Sequence, residues 1–408
     1  MHKISRKTST AVLLLTAGIS FLAFYMTTGV EAQQGAPRYV FDPTWPKPLP
    51  NNWKMGGVTG LAVDKDDNVW VLTRPNDTTE QEDNAATNPP TAHCCVKPPT
   101  MIHISKTGEV IGSFDAPQGH GMDVDSQGFV YIGQDTVRKY DPKGGKMVKE
   151  LPRVPENQPQ GGGGRGRGNV DPAEQAKAVA AFRAKYPPTT PQIVGQIEEI
   201  RLDEKAREMY VADSYLGGRV MIYDLDTFAF KRGWGAYGKP LAQISVNDAD
   251  REYKPNGPMP KDFRGHLTLN FANDGLVYAA DRNANRIHVT DKQGKFIKEF
   301  IVAAETGEGG STGGVAFSQD AQQRFLIISD LTNNKIWFLN RADGKLVGEM
   351  GGMGENGGQW FGLHMIAIDS QGNIYTGEVF NGERVQRFVP ADSPRGKQLQ
   401  QAGLQPMT

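Results

Sequence analysis

Three histidines occupy one position of a repeated phrase, and that spacing is what first points to chemistry. His120 lies five residues before Asp125, and His364 lies five before Asp369. His266 holds the same place ahead of the apolar run at 267–270. The matching slots elsewhere hold Thr59, Glu198 and Gly313. Only 7 of 408 residues are histidine, so three in six slots is not a compositional accident. Three neutral imidazoles converging with threefold geometry are the ligand set of an open catalytic zinc site, with a fourth position left for substrate. The plainer alternative is three channel histidines bonded to water or backbone.

Polar residues close the second strand of each phrase: Arg74, Asp213 with Tyr215, Asp281 with Arg282, Asp330 and Glu378. The aspartates read as turn-bonding residues. Arg74, Arg282 and Tyr215 differ, because a guanidinium can grip a carboxylate through two bonds. A phenol beside a bound metal can ionise and act as a base.

The elements that must position these residues are strands. An apolar run ending near Asp, a turn, then a β-rich run ending in a polar residue recurs six times. The copies begin near Gly60, Gly121, Ile200, Leu267, Gly314 and Met365. Alternating Val, Ile, Tyr and Phe between Gly- and Asp-bearing turns marks strands. About four strands per unit, repeated six times, predict an all-β, six-bladed β-propeller, whose first strands line a central channel. Strand residues 39–41 are expected to close the ring onto the sixth blade. The propeller spans 33–390, and 391–408 reads as a flexible tail. A segment at 151–192 interrupts the pattern with a Gly/Arg-rich run and then Asp171-Pro172, an N-cap and N1 pair announcing a short helix. Arg165 and Arg167 belong to that solvated low-complexity loop.

Composition narrows the function classes. With 45 Lys+Arg against 46 Asp+Glu, the chain is neither a basic nucleic-acid binder nor an acidic tail. Glycine at 48 of 408 residues suits many tight turns. Residues 1–32 read as a secretory signal: Lys3, Arg6 and Lys7, a 16-residue apolar run, then Val30-Glu31-Ala32 as cleavage site. The run is shorter than the ~20 residues of a spanning helix. The protein is therefore expected to be exported, periplasmic or extracellular, with no stable membrane span after signal removal. Cys94 and Cys95, adjacent after His93, suit a vicinal disulfide or a small metal-capturing loop. The GxGxxG match at 352–357 precedes a strand, so it reads as an inter-blade loop and not as a nucleotide site.

Over residues ~55–390 the chain resembles the NHL-repeat six-bladed propellers, and among them the peptidyl-α-hydroxyglycine α-amidating lyases. The motifs that carry the resemblance are QGHGMDVD at 118–125, ADSYLGGR at 212–219, ADRNANR at 280–286 and HMIAID at 364–369. It implies zinc on His120, His266 and His364, Tyr215 as catalytic tyrosine, and Arg74 and Arg282 as active-site arginines. The implied reaction splits a carbinolamide N–C bond into an amide and glyoxylate, or acts similarly on another small carboxylate. Met365 stands where the family has a calcium-serving aspartate, which puts calcium in doubt. Leu216 stands where a family cysteine would follow the tyrosine. The partner is then a small-molecule or peptide substrate. The competing expectation is a non-catalytic NHL propeller that binds a peptide, glycan or protein at its mouth. A calcium-dependent lactonase-like propeller fits less well, since histidine is a poor calcium ligand.

Overall fold

A computed structural model of the chain describes residues 35–159 and 171–407. Residues 1–32, read above as a secretory signal, and the Gly/Arg-rich run lie outside the described residues. Six four-stranded antiparallel sheets make up the structure. Blade one comprises Gly57–Val63, Val69–Arg74, Met101–Ile104 and Val110–Phe114, and blade two Met122–Val124, Val130–Gly133, Val137–Asp141 and Lys146–Glu150. Blade three comprises Gln196–Asp203, Glu208–Ser214, Arg219–Asp224 and Phe230–Trp234. Blade four comprises Leu267–Phe271, Val277–Asp281, Arg286–Thr290 and Phe296–Ile301. Blade five runs Val315–Phe317, Phe325–Asp330, Lys335–Asn340 and Leu346–Met350. Each first strand contacts the first strands of both neighbouring blades, closing a ring around the axis.

Blade six is built from both ends of the chain, as expected. Leu363–Ile368, Ile374–Glu378 and Val385–Pro390 are completed by Tyr39–Phe41, with Val40 opposite Val389. Local chemistry fixes the first turn of blades one, two and six in the same way. Asp64, Asp125 and Asp369 each accept two backbone N–H bonds, from residues two and four positions on, at 2.8–3.1 Å. Apolar side chains then fill the spaces between sheets, such as Tyr278, Ile287, Phe317, Leu326 and Trp337 between blades four and five. A fully buried side chain of this kind contributes ~1.5–3 kcal/mol.

Two buried ion pairs tie the mouth loops to the blades. Asp213 meets Arg219 at 2.8 Å and Asp281 meets Arg286 at 2.9 Å, all four side chains with no exposure. The aspartates also accept loop N–H groups, Gly195 at 2.7 Å and Arg264 at 3.1 Å. Asp330 accepts from Thr332, Asn333 and the Trp337 indole. These three aspartates are structural, as read from the turns.

The helix announced by Asp171-Pro172 forms. Asp171 accepts from Ala173 N at 2.7 Å and caps α1, Pro172–Lys185. The residues after Pro390, expected as a flexible tail, are instead ordered against the propeller. Ser393 caps α2, Pro394–Gln401, and Leu399 buries with Val40 and Val389. Met407 pairs with Tyr39, while Arg387 and Arg395 both clasp buried Asp42, at 2.7 and 2.8 Å. A few apolar anchors in a polar stretch are enough to dock it, which composition concealed. Cys94 and Cys95 are disulfide-bonded to each other. Among the described residues no helix is long and apolar enough to cross a membrane.

Candidate functional site

In several blades the slot that repeats in sequence is a β-bulge in the structure, whereas in blade four His266 precedes a strand of unbroken register. Strand pairing jumps from Val58 to Gly60, from Ile197 to Glu199 and from Leu363 to Met365. The skipped residues are Thr59, Glu198 and His364. In blade two, Gly133 O accepts from His120 N at 2.7 Å, while Gly133 N donates to Gly121 O at 2.9 Å. A bulge re-aims the extra side chain out of the sheet's alternation, here toward the axis. Gly121 is required by this crowding: its φ is +73°, and a Cβ there would lie 2.7 Å from the Glu198 carbonyl.

His120, His266, His364, Glu198, Tyr215, Arg74 and Arg282 all line one open cavity of ≈ 940 Å³. Two of the histidines meet directly, with His120 Nε2 and His364 Nε2 2.8 Å apart. His120 Nδ1 lies 2.9 Å from the Glu198 carbonyl, so its proton belongs there and its Nε2 is a lone pair. His364 must then donate from Nε2, which leaves its buried Nδ1 as a lone pair with no partner. Both rings are neutral in this arrangement. Burial, reinforced by Arg74 and Arg282, outweighs the pull of Glu198 and holds His120 down to about 4. Burial and His120 put His364 well below the usual imidazole range.

His266 takes a different partner. Its Nδ1 lies 2.6 Å from Glu198 Oε1 and 2.8 Å from Arg282 Nη2. One nitrogen cannot serve both, since it either donates to the carboxylate or accepts from the guanidinium. Burial opposes the charge on Glu198, but His266, His120 and Arg282 together hold its carboxyl well below the ordinary range. An ionised carboxylate can only accept, so at 2.6 Å Nδ1–H donates to Glu198 and Nε2 is the ring nitrogen outside that contact. Arg282 is thereby left without an ion pair among the described residues, and its buried Nε has no partner.

Tyr215 packs edge-on against His266, ring centres 4.5 Å apart, from a left-handed backbone at φ +51°. Burial and the Glu198 charge push its phenol far above the usual tyrosine range. The chain by itself therefore holds Tyr215 protonated, whereas the resemblance implies a phenolate. Arg74 ends its strand at the same cavity, but its Nε is already paired with Asp77 Oδ2 at 2.7 Å. His103 and His288 lie elsewhere, on Asp64 and Glu299, as ordinary strand residues.

The donor chemistry fits a zinc ion on His120, His266 and His364. Two of the three have Nδ1 committed to an oxygen, which turns Nε2 into the ligating nitrogen, and the Glu198–His266 pair is the usual outer-shell arrangement. The positions are not gathered for it. Among the described residues no three His, Cys, Asp or Glu side chains form a metal-holding group. Two nitrogens on one tetrahedral zinc stand about 3.3 Å apart, given Zn–N bonds of ~2.0–2.1 Å. The 2.8 Å contact between His120 and His364 would have to open by roughly half an ångström. Glu198 is the functional residue that sequence reading did not single out. The available signal was that it is the one acidic side chain among the six slot residues.

Fold and site together define a β-propeller with a polar, convergent axial cavity. No protein-family model matches the chain, and no curated protein matches it either. Among solved structures it is similar to a structural genomics protein of unknown function from Bacteroides thetaiotaomicron. That match has a TM-score of 0.51 and 14% identity, over 87% of this chain and 76% of the other. The β-propeller domain of Cps50 (Swd1) from Myceliophteria thermophila is also similar, with a TM-score of 0.44 and 14% identity, over 81% and 83%. At such identity the first likeness establishes the fold alone.

Proposed function

We propose that this protein is a zinc-dependent lyase of the peptidyl-α-hydroxyglycine amidating type, or a close relative acting on another small carboxylate. The observation that carries the reading is the gathering of three histidines, a tyrosine and an arginine free of ion pairs in one axial cavity. His120, His266 and His364 would hold the ion, and Glu198 would fix the His266 ring. When bound, zinc would supply Lewis-acid polarisation of the substrate oxygens and a positive charge that favours an ionised phenol.

The chain's own residues do the rest. Arg282, with no carboxylate of its own, takes the substrate carboxylate, and Arg74 adds charge while anchored to Asp77. Tyr215, as the phenolate that a bound zinc would favour, accepts the carbinol O–H proton as the C=O forms and the N–C bond breaks. The released electron pair stays on nitrogen, which recovers the proton from Tyr215, so amide and glyoxylate leave with all atoms balanced. A general base of this kind contributes ~10²–10⁴-fold.

A second reading, a propeller that only binds, is favoured by the His120–His364 hydrogen bond, which satisfies both Nε2 atoms without an ion. The two are separated by incubating the zinc-loaded protein with benzoyl-α-hydroxyglycine and measuring glyoxylate. Release that disappears in Tyr215→Phe supports the lyase. No release from protein that holds one zinc per chain refutes it.

A further inference from the structure

Helix α1 belongs to no blade, yet it forms part of the wall of the axial cavity. Its solvent face is wide, and only Gln175, Val179, Phe182 and Arg183 along it are partly or fully covered, the spacing of a single helix face. Phe182 and the following Tyr186 anchor it against Val154, Val194 and Leu216, the neighbour of Tyr215. On its other side Arg183 donates to Val246 O at 3.0 Å and Asp248 Oδ1 at 2.6 Å, on the connection between blades three and four. The helix is thus pinned near its C-terminal end, and Ala176 and Val179, two turns and one turn before the pins, line the cavity.

The rest of that lining divides by polarity. The histidines, Glu198, Tyr215 and Arg282 form a polar cluster, Arg183, Asp248, Arg251 and Glu252 add charged groups near α1, and Leu331, Val379 and Phe380 add apolar surface from blades five and six. Phe380 is 48% exposed, a large apolar side chain left bare beside a polar site. A cavity of ≈ 940 Å³ exceeds what a two-carbon product such as glyoxylate occupies. Space of that size, with apolar patches among its polar and charged lining, takes an amphipathic ligand.

We propose that α1 is the specificity wall of the site, with Val179 and Ala176 meeting the apolar acyl part of a substrate whose carboxylate is held at Arg282. This rests on the reading of the cavity as a small-carboxylate site, and it adds the class of group borne at the other end. The preferred substrate carries a bulky apolar acyl group, aromatic or branched, not a short one. Val179 acts by contact with the non-reacting part of the substrate, so it changes selectivity and leaves metal binding alone.

The test uses two inert carboxylates, benzoylglycine and acetylglycine, titrated calorimetrically into the zinc-treated full chain. Benzoylglycine should bind at least about tenfold more tightly, since burying a ring far exceeds the ~1.4 kcal/mol that tenfold represents. Val179→Asp should weaken benzoylglycine by about tenfold or more and leave acetylglycine within about twofold. Ala176→Asp, on the largely exposed side of the same helix, provides a second variant with little risk to folding. An unchanged benzoylglycine affinity in both variants, equal losses for both probes, or no binding of either probe to the wild type would overturn the proposal. The outcome is separable from the lyase reading. Acyl selectivity that depends on Val179 in a protein without turnover keeps the wall and removes the lyase, and turnover indifferent to Val179 does the reverse.

Discussion

Acidification should weaken the fold through the paired histidines, and the size of the effect follows from their surroundings. In an unfolded chain an imidazole takes its proton near pH 6.5. In the folded protein burial, with Arg74 and Arg282 close by, holds His120 down to about 4 and His364 well below 6.5. Between those limits the unfolded state binds more protons than the folded one. Stability is therefore fully present above about pH 6.5 and is lost as pH falls toward 4. For His120 the fall from 6.5 to about 4 caps the loss at roughly 3 kcal/mol. Near pH 5 about 2 kcal/mol of that is already gone, a large share of a typical ~5–15 kcal/mol. The two rings are coupled through one hydrogen bond, so the pair and not either ring owns the titration. Urea unfolding of the zinc-free protein at pH 7.5 and pH 5 measures the loss, and His120→Gln isolates it. The variant should lose about 2 kcal/mol less than the wild type over this interval. An identical loss in both proteins would refute the assignment of this acid sensitivity to the channel histidines.

Other expectations follow from the same geometry. Glu198→Gln keeps an acceptor for His266 but removes the charge, and zinc affinity measured against a chromogenic chelator should fall ~10–100-fold. Tyr215→Phe should hold zinc normally yet lose ~10²-fold or more in glyoxylate release. Glu199 behaves oppositely to the histidines, because burial and Asp123 prevail over Arg201 and push its carboxyl up to about 8. The folded state then binds the extra proton, so this carboxyl's contribution is present below its unfolded value and lost as pH rises toward 8. Glu199→Gln should therefore stabilise the protein progressively more from pH 7 to pH 9, read from melting temperatures, and a uniform loss across that range would contradict it.

The blades were legible because one phrase repeats with one register, and register decides which face each side chain takes. That repetition also placed His120, His266 and His364 in one channel before any coordinates. What the phrase did not reveal was the bulge at Thr59, Glu198 and His364, a backbone event without a residue signature of its own. Glu198 stayed inconspicuous for a related reason: its importance comes from the His266 ring on the neighbouring blade and not from its neighbours in sequence. The protonated state of Tyr215 and the pairing of Arg74 with Asp77 depend on packed distances. The docking of α2 depends on Leu399 and Met407, two anchors in an otherwise polar stretch.

The central claim is that the three channel histidines hold a metal ion, and elemental analysis of the purified protein tests it most directly. About one zinc per chain, retained by Tyr215→Phe and lost from His120→Ala and His266→Ala, is the result expected. Protein that takes up no metal even when zinc is offered, or His266→Ala with undiminished zinc, would contradict it.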